Sequence, residues 1–128
     1  MKNILILFVI IFCFASCHKD DDNDYRNKFI GNYKCNKTGV FQCYNNTANF
    51  DTIVIVSVKK AGDSSIYILD ATLKINTLGE FGGGLYPDSA YHGFGGFFSN
   101  DSIFFNTYQG GLGCFTSLDY KGEKQWKQ

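Results

Sequence analysis

From Tyr25 onward, apolar and polar side chains alternate along the chain with the two-residue period of strands. Phe29, Gly31, Tyr33 and Cys35 share one face of a first strand, with Ile30, Asn32 and Lys34 on the other. Thr52 to Lys59 contains Ile53-Val54-Ile55-Val56, a β-branched run that predicts a strand buried on both sides. Gly62-Asp63-Ser64 marks a turn, and Ile66 to Leu69 follows as another strand. Leu69 and Leu73 also fit helical spacing. Strict alternation of Leu69, Ala71, Leu73 and Ile75 with Asp70, Thr72, Lys74 and Asn76 favours a strand instead. Phe94 to Phe98, Ser102 to Thr107 and Cys114 to Tyr120 complete the set, with turns at Ser99-Asn100-Asp101 and Gln109-Gly110-Gly111. No window combines the length and the caps of a helix.

Roughly eight short strands at regular spacing predict an all-β domain, either an antiparallel barrel or, as the alternative, a β-sandwich. Short consecutive turns favour a single up-and-down (meander) barrel. An immunoglobulin-type sandwich wants a Trp between paired cysteines, whereas the single Trp, Trp126, follows the last cysteine. Closure should pair the strand at Phe29 to Cys35 with the strand at Cys114 to Tyr120. It would remove both edges and keep Ile53-Val54-Ile55-Val56 away from an unpaired one. It should also bring Tyr33 near Leu118 and Tyr120, with Leu112, Cys114, Thr116 and Leu118 facing inward and Phe115 outward. Phe29-Ile30-Gly31-Asn32-Tyr33 resembles the aromatic-x-Gly-x-Tyr opening of lipocalin-like barrels and of small Bacteroidota lipoproteins built like them. That resemblance spans residues 25–128 and implies a fold, not an activity.

Ahead of the strands lies a different kind of segment. Met1-Lys2-Asn3 is a short positive region, and Ile4 to Phe14 is an apolar run of 11 residues, against roughly 20 for a bilayer-spanning helix. Ala15-Ser16-Cys17 then sets two small residues before a cysteine, which resembles the lipobox of bacterial lipoproteins; Phe14 stands where that family usually has Leu. By that resemblance residues 1–16 are a signal peptide and Cys17 becomes the first mature residue. Acyl chains on Cys17 (palmitate among them) would then hold a soluble domain at a membrane. Residues 17–24 form the lipidated cysteine and a tether, and residues 25–128 the barrel domain.

The run His18-Lys19-Asp20-Asp21-Asp22-Asn23-Asp24 reads first as a solvated tether. It lacks the mid-loop glycine and closing glutamate of an EF-hand calcium loop. It also resembles the surface-export signal of Bacteroidota lipoproteins, which implies an outer-membrane, cell-surface address, with the periplasmic leaflet as the alternative.

Composition narrows the function classes. The 128 residues balance 12 basic against 12 acidic side chains, so no electrostatic case for nucleic acid arises. With 16 residues removed, 112 remain, enough for one core and rich enough in Phe and Tyr to exclude disorder. The glycine clusters Phe81-Gly82-Gly83-Gly84-Leu85, Gly93-Phe94-Gly95-Gly96-Phe97 and Gly110-Gly111-Leu112-Gly113 lack the lysine and spacing of phosphate loops. They read as bulges and close backbone approaches. His92 is the only histidine of the domain, and Ser89, His92 and Asp88 sit too near one another in sequence to converge as a triad. One histidine with Glu80 or Asp88 falls short of a metal site. The expectation is a non-enzymatic protein with no catalytic residue, metal or cofactor.

Three cysteines belong to the mature domain. Outside the cytoplasm Cys35, Cys43 and Cys114 should oxidise where geometry allows. A turn at Lys37-Thr38-Gly39 favours Cys35–Cys43, with Cys35–Cys114 next and one thiol left over. Asp51-Thr52-Ile53, Asp88-Ser89-Ala90 and Asp101-Ser102-Ile103 resemble the Bacteroidota O-glycosylation motif, implicating Thr52, Ser89 and Ser102; the same pattern also arises where a strand leaves a turn. Two functions remain open. One is an interaction or structural module, self-filled, that meets a surface protein or glycan. The other is a lipocalin-like carrier of a small apolar or amphipathic ligand lined by Tyr33, Tyr67, Tyr91, Phe94 and Phe97. Interior volume separates them.

Overall fold

A computed structural model describes residues 23–83 and 92–126. The expected signal segment, Cys17, the expected tether through residue 22, Ser89 and Tyr91 lie outside the described residues. A 3-10 turn, Tyr25–Lys28, leads into β1 (Gly31–Cys43), β2 (Asn46–Ala61), β3 (Ser65–Ile68), β4 (Ala71–Ile75), β5 (Glu80–Gly82), β6 (His92–Ser99), β7 (Ser102–Gly111) and β8 (Cys114–Gln125). Neighbours are antiparallel and β8 returns to β1, so the sheet closes into an up-and-down barrel in chain order.

The wall is uneven. β1 and β2 run for 13 and 16 residues and β7 and β8 for 10 and 12, whereas β3, β4 and β5 have only 4, 5 and 3. The core fills the end where all strands are present. Val56, Val58, Ile66, Ile68, Leu73, Ile75 and Ile103 are buried there by strict alternation, the pattern of a one-sided strand. Phe98 sits at the hub, with ring centroids 4.7 Å from Phe29, 5.1 Å from Phe81 and 5.7 Å from Tyr33. Gly96 makes the adjoining curvature feasible, because a Cβ there would collide with the Phe104 carbonyl and the Phe105 side chain. Gly39, at φ +149°, likewise lies against the Ser117 carbonyl of β8.

The chain seals this end with Arg26. Its guanidinium donates to the Gly62 and Ser65 carbonyls at 2.6 and 2.9 Å and pairs with Asp24 at 2.6 Å. Asp24, expected in the tether, instead caps the 3-10 turn by accepting from the Arg26 backbone N–H at 2.9 Å. The last acid of the run is therefore part of the fold.

Several expectations change. Ile53-Val54-Ile55-Val56 is not buried on both sides, because Ile53 and Ile55 point outward and are 63% and 56% exposed. Gln109-Gly110-Gly111 continues β7; the turn is Leu112-Gly113, whose φ values of 27° and 91° fit a two-residue hairpin loop. Leu112 is thus a tip rather than an inward residue, while Cys114, Thr116 and Leu118 do share the inward side and Phe115 the outward one. β1 pairs with β8 as expected, but Tyr33 faces Lys124, and Leu118 and Tyr120 lie opposite Gly39 and Lys37. The Cys35–Cys43 bridge does not form. β1 passes straight through Lys37-Thr38-Gly39, so the two cysteines stand eight positions apart on one strand, roughly 26 Å at strand rise. Cys43 instead joins Cys114 at the last rung of β1 and β8, and Cys35 is a buried free thiol opposite Gly122.

Candidate functional site

Tall and short walls together leave a cup at the barrel's mouth. Its floor is a stack of near-parallel rings, Phe94 on Phe105 at 5.3 Å and Phe105 on Tyr120 at 4.4 Å. Burial raises the Tyr120 phenol above its ordinary value, a rise that the neighbouring Thr107 side chain moderates. Above the stack, about 360 Å³ lies between the β3–β4 turn and the inward faces of β6, β7 and β8. Leu69, Phe94 and Leu118 form its apolar side and Asp70, Thr107, Gln109 and Thr116 its polar side. Tyr67 donates to Asp70 Oδ1 at 3.5 Å.

The expected ligand-lining residues scatter. Phe94 lines the cup. Tyr33 is fully buried at the opposite end, its hydroxyl donating to the Phe29 carbonyl at 2.9 Å, so it closes the barrel instead of lining it. Burial pushes its phenol well above the ordinary range. Tyr67 and Phe97 occupy outward positions of β3 and β6 and are exposed, because the alternation that buries Ile66, Ile68 and Phe98 turns them away. Thr116 faces inward as expected, but its polar companions Thr107 and Gln109 were not anticipated; a closed β7–β8 register is the signal that would have placed them.

The outer wall carries a second feature. One rung crosses five strands as Phe97, Phe104, Lys121, Asn36 and Ile53. Phe97 and Phe104 stack at 5.1 Å, and the Lys121 ammonium lies 5.5 Å above the Phe104 ring. Beside this row β2 has a long edge. β3 pairs with β2 only at Val58, Lys59, Lys60 and Ala61, so among the described residues no strand pairs with residues 46–57 on that side. Closure at the sealed end therefore does not protect Ile53-Val54-Ile55, contrary to expectation.

Reactive chemistry is thin among the described residues. Burial pushes the Cys35 thiol up to about 11, which keeps it protonated and unreactive at neutral pH. No three His, Cys, Asp or Glu side chains among the described residues gather as metal ligands. Thr52 is exposed within β2 rather than at a strand exit, and Ser102 opens β7 half-buried. No described helix is long and apolar enough to cross a membrane. No family model, curated protein or solved structure matches the chain.

Proposed function

We propose that this chain is a lipid-anchored, cell-surface lipoprotein whose barrel serves as a non-enzymatic interaction module. Its partner is a protein that adds an extended strand to the open edge of β2. The observation that carries this reading is the edge itself, residues 46–57, bonded to β1 on one side and to no described strand on the other. Such a row of free backbone donors and acceptors is a template for another strand. Exposed Ile53 and Ile55 supply an apolar strip along it. Left bare, an edge of this kind invites aggregation, so a covering partner gives it a use. The anchor rests on Ala15-Ser16-Cys17 and the surface address on Lys19-Asp20-Asp21-Asp22.

A photoreactive residue at Ile53, introduced in the full lipoprotein on intact cells, tests the edge. A discrete protein adduct is expected at Ile53, lost on Ile55→Lys and absent from a probe at Thr72 on the short wall. No adduct at Ile53, or equal adducts at both sites, would overturn it.

The cup supports a second reading, uptake of a small amphipathic molecule, because its volume of about 360 Å³ falls in the range of small-molecule sites. Native mass spectrometry of the purified protein would then find a stoichiometric ligand that Phe94→Trp expels.

A further inference from the structure

We propose that the sealed end of the barrel, around Leu78, Lys28, Lys124 and Trp126, docks on the bilayer surface beneath the lipid anchor and so points the open rim away from the membrane. The inference rests on the lipidation of Cys17 proposed above. Three observations carry it.

The chain enters the fold at this end. Asn23 stands six positions after Cys17, so even a fully extended tether holds the sealed end within about 20 Å of the acylated cysteine. Second, this end exposes an apolar pair that packing leaves unused. Leu78, at the β4–β5 turn, is 75% exposed, and Trp126, just past β8, is 67% exposed. Third, two lysines join them into one surface. Lys28 Nζ donates to the Thr77 carbonyl at 3.1 Å, Lys124 Nζ donates to the Lys28 carbonyl at 2.9 Å, and the same ammonium lies 5.1 Å above the Trp126 ring. Trp and Lys are the side chains that settle at the boundary between headgroups and acyl chains, the ring at the apolar side and the ammonium among phosphates. The charge of Asp24 is taken up by Arg26 and Lys60, at 2.6 and 3.2 Å, and so does not oppose that contact.

The opposite rim also exposes apolar tips, Tyr44 and Leu112, but neither hairpin tip carries a lysine and the tether leaves from the other end. Acyl chains together with an interfacial patch make a two-signal anchor, firmer and more oriented than lipid alone.

Trp126 is the only tryptophan, so its emission reports on this face alone. The full lipidated protein would be reconstituted into vesicles of phosphatidylcholine and phosphatidylglycerol with brominated acyl chains. Sedimentation with the vesicles, a blue shift and quenching of Trp126 are expected. Leu78→Asp should reduce the quenching while the protein still sediments, and Leu112→Asp at the far rim should leave it unchanged. Sedimentation without quenching would overturn the docking face and leave lipidation standing. Quenching that Leu78→Asp leaves unchanged would likewise overturn the docking face and leave lipidation standing. Failure to sediment would overturn both the anchor and the docking face.

Discussion

At the sealed end, Phe98 meets Phe29, Phe81 and Tyr33 within 5.7 Å, and Arg26 ties the entering chain to the β2–β3 connection. Above the Phe94–Phe105–Tyr120 stack, the open end has no comparable cluster among the described residues; the tips of two hairpins are held together by the Cys43–Cys114 disulfide. The difference is one of strand number. Where all eight strands close, inward side chains surround one another and exclude water. Where only the long strands continue, one inward face meets solvent, and side chains such as Leu118 and Thr116 remain half-buried. A covalent link then substitutes for packing. This also explains why the open edge of β2 lies beyond the sealed end: a strand can offer free backbone groups only where its neighbour has stopped.

Removing the hub should disturb the sealed end most. Phe98→Ala should cost about 3–5 kcal/mol, as large-to-small aromatic changes in cores do, and should lower the urea midpoint of the whole domain. Replacing Cys43 and Cys114 together by Ser should cost about 2–4 kcal/mol, since the bridge closes a long loop between residues 71 apart. The effects should differ in kind. Amide exchange in the disulfide-free protein should accelerate first near the Tyr44 and Leu112 tips and leave Ile66 and Leu73 protected, whereas Phe98→Ala should deprotect both ends. Equal loss at both ends in the two variants would mean the barrel is one cooperative unit without a weaker rim.

Acid should reveal the sealed end by another route. Hydrogen bonds from the Arg26 side chain, then from its backbone N–H, hold the Asp24 carboxyl well below the usual range. A depressed folded value means that this pair stabilises the fold above the ordinary aspartate value of about 3.9 and is lost as pH falls through the folded value. Urea midpoints measured across pH 5 and below should therefore drop more steeply in the wild type than in Asp24→Asn. Parallel slopes would remove Asp24 from the acid response.

How legible this was in the sequence follows the same division. Alternation such as Ala71, Leu73 and Ile75 reads correctly because a closed, one-sided sheet imposes the period. Closure and the β1–β8 pairing followed from the need to remove edges. What failed concerns the upper wall. β-branched Ile53 and Ile55 look buried by composition, but how far a neighbouring strand extends is a tertiary fact that local pattern does not carry. The Leu112-Gly113 tip escaped because leucine at positive φ is a rare turn residue, and the adjacent Gly110-Gly111 offered a stronger signal. The disulfide was misassigned for the same reason: a turn was read into β1 where the strand continues. The cup's polar lining needed the β7–β8 register, which no single strand contains.

The smallest predicted effects test that register directly. Leu118 faces inward at the edge of the cup and is half-buried, so Leu118→Ala should cost about 1–2 kcal/mol, below the range for a fully buried leucine. Phe115 is half-buried on the outward side, with the Tyr108 ring at 6.1 Å, so Phe115→Ser should cost about 1 kcal/mol or less. The two positions lie on one strand three residues apart, so their ranking reads out which face of β8 is inside, independent of the absolute values. Chemical denaturation of both variants under non-reducing conditions keeps the disulfide constant. If Phe115→Ser proves the more destabilising, Thr116 and Leu118 face outward, the cup loses its wall, and the small-ligand reading falls with it. The β2 edge would survive that result, because its open side depends on where β3 ends and not on the facing of β8.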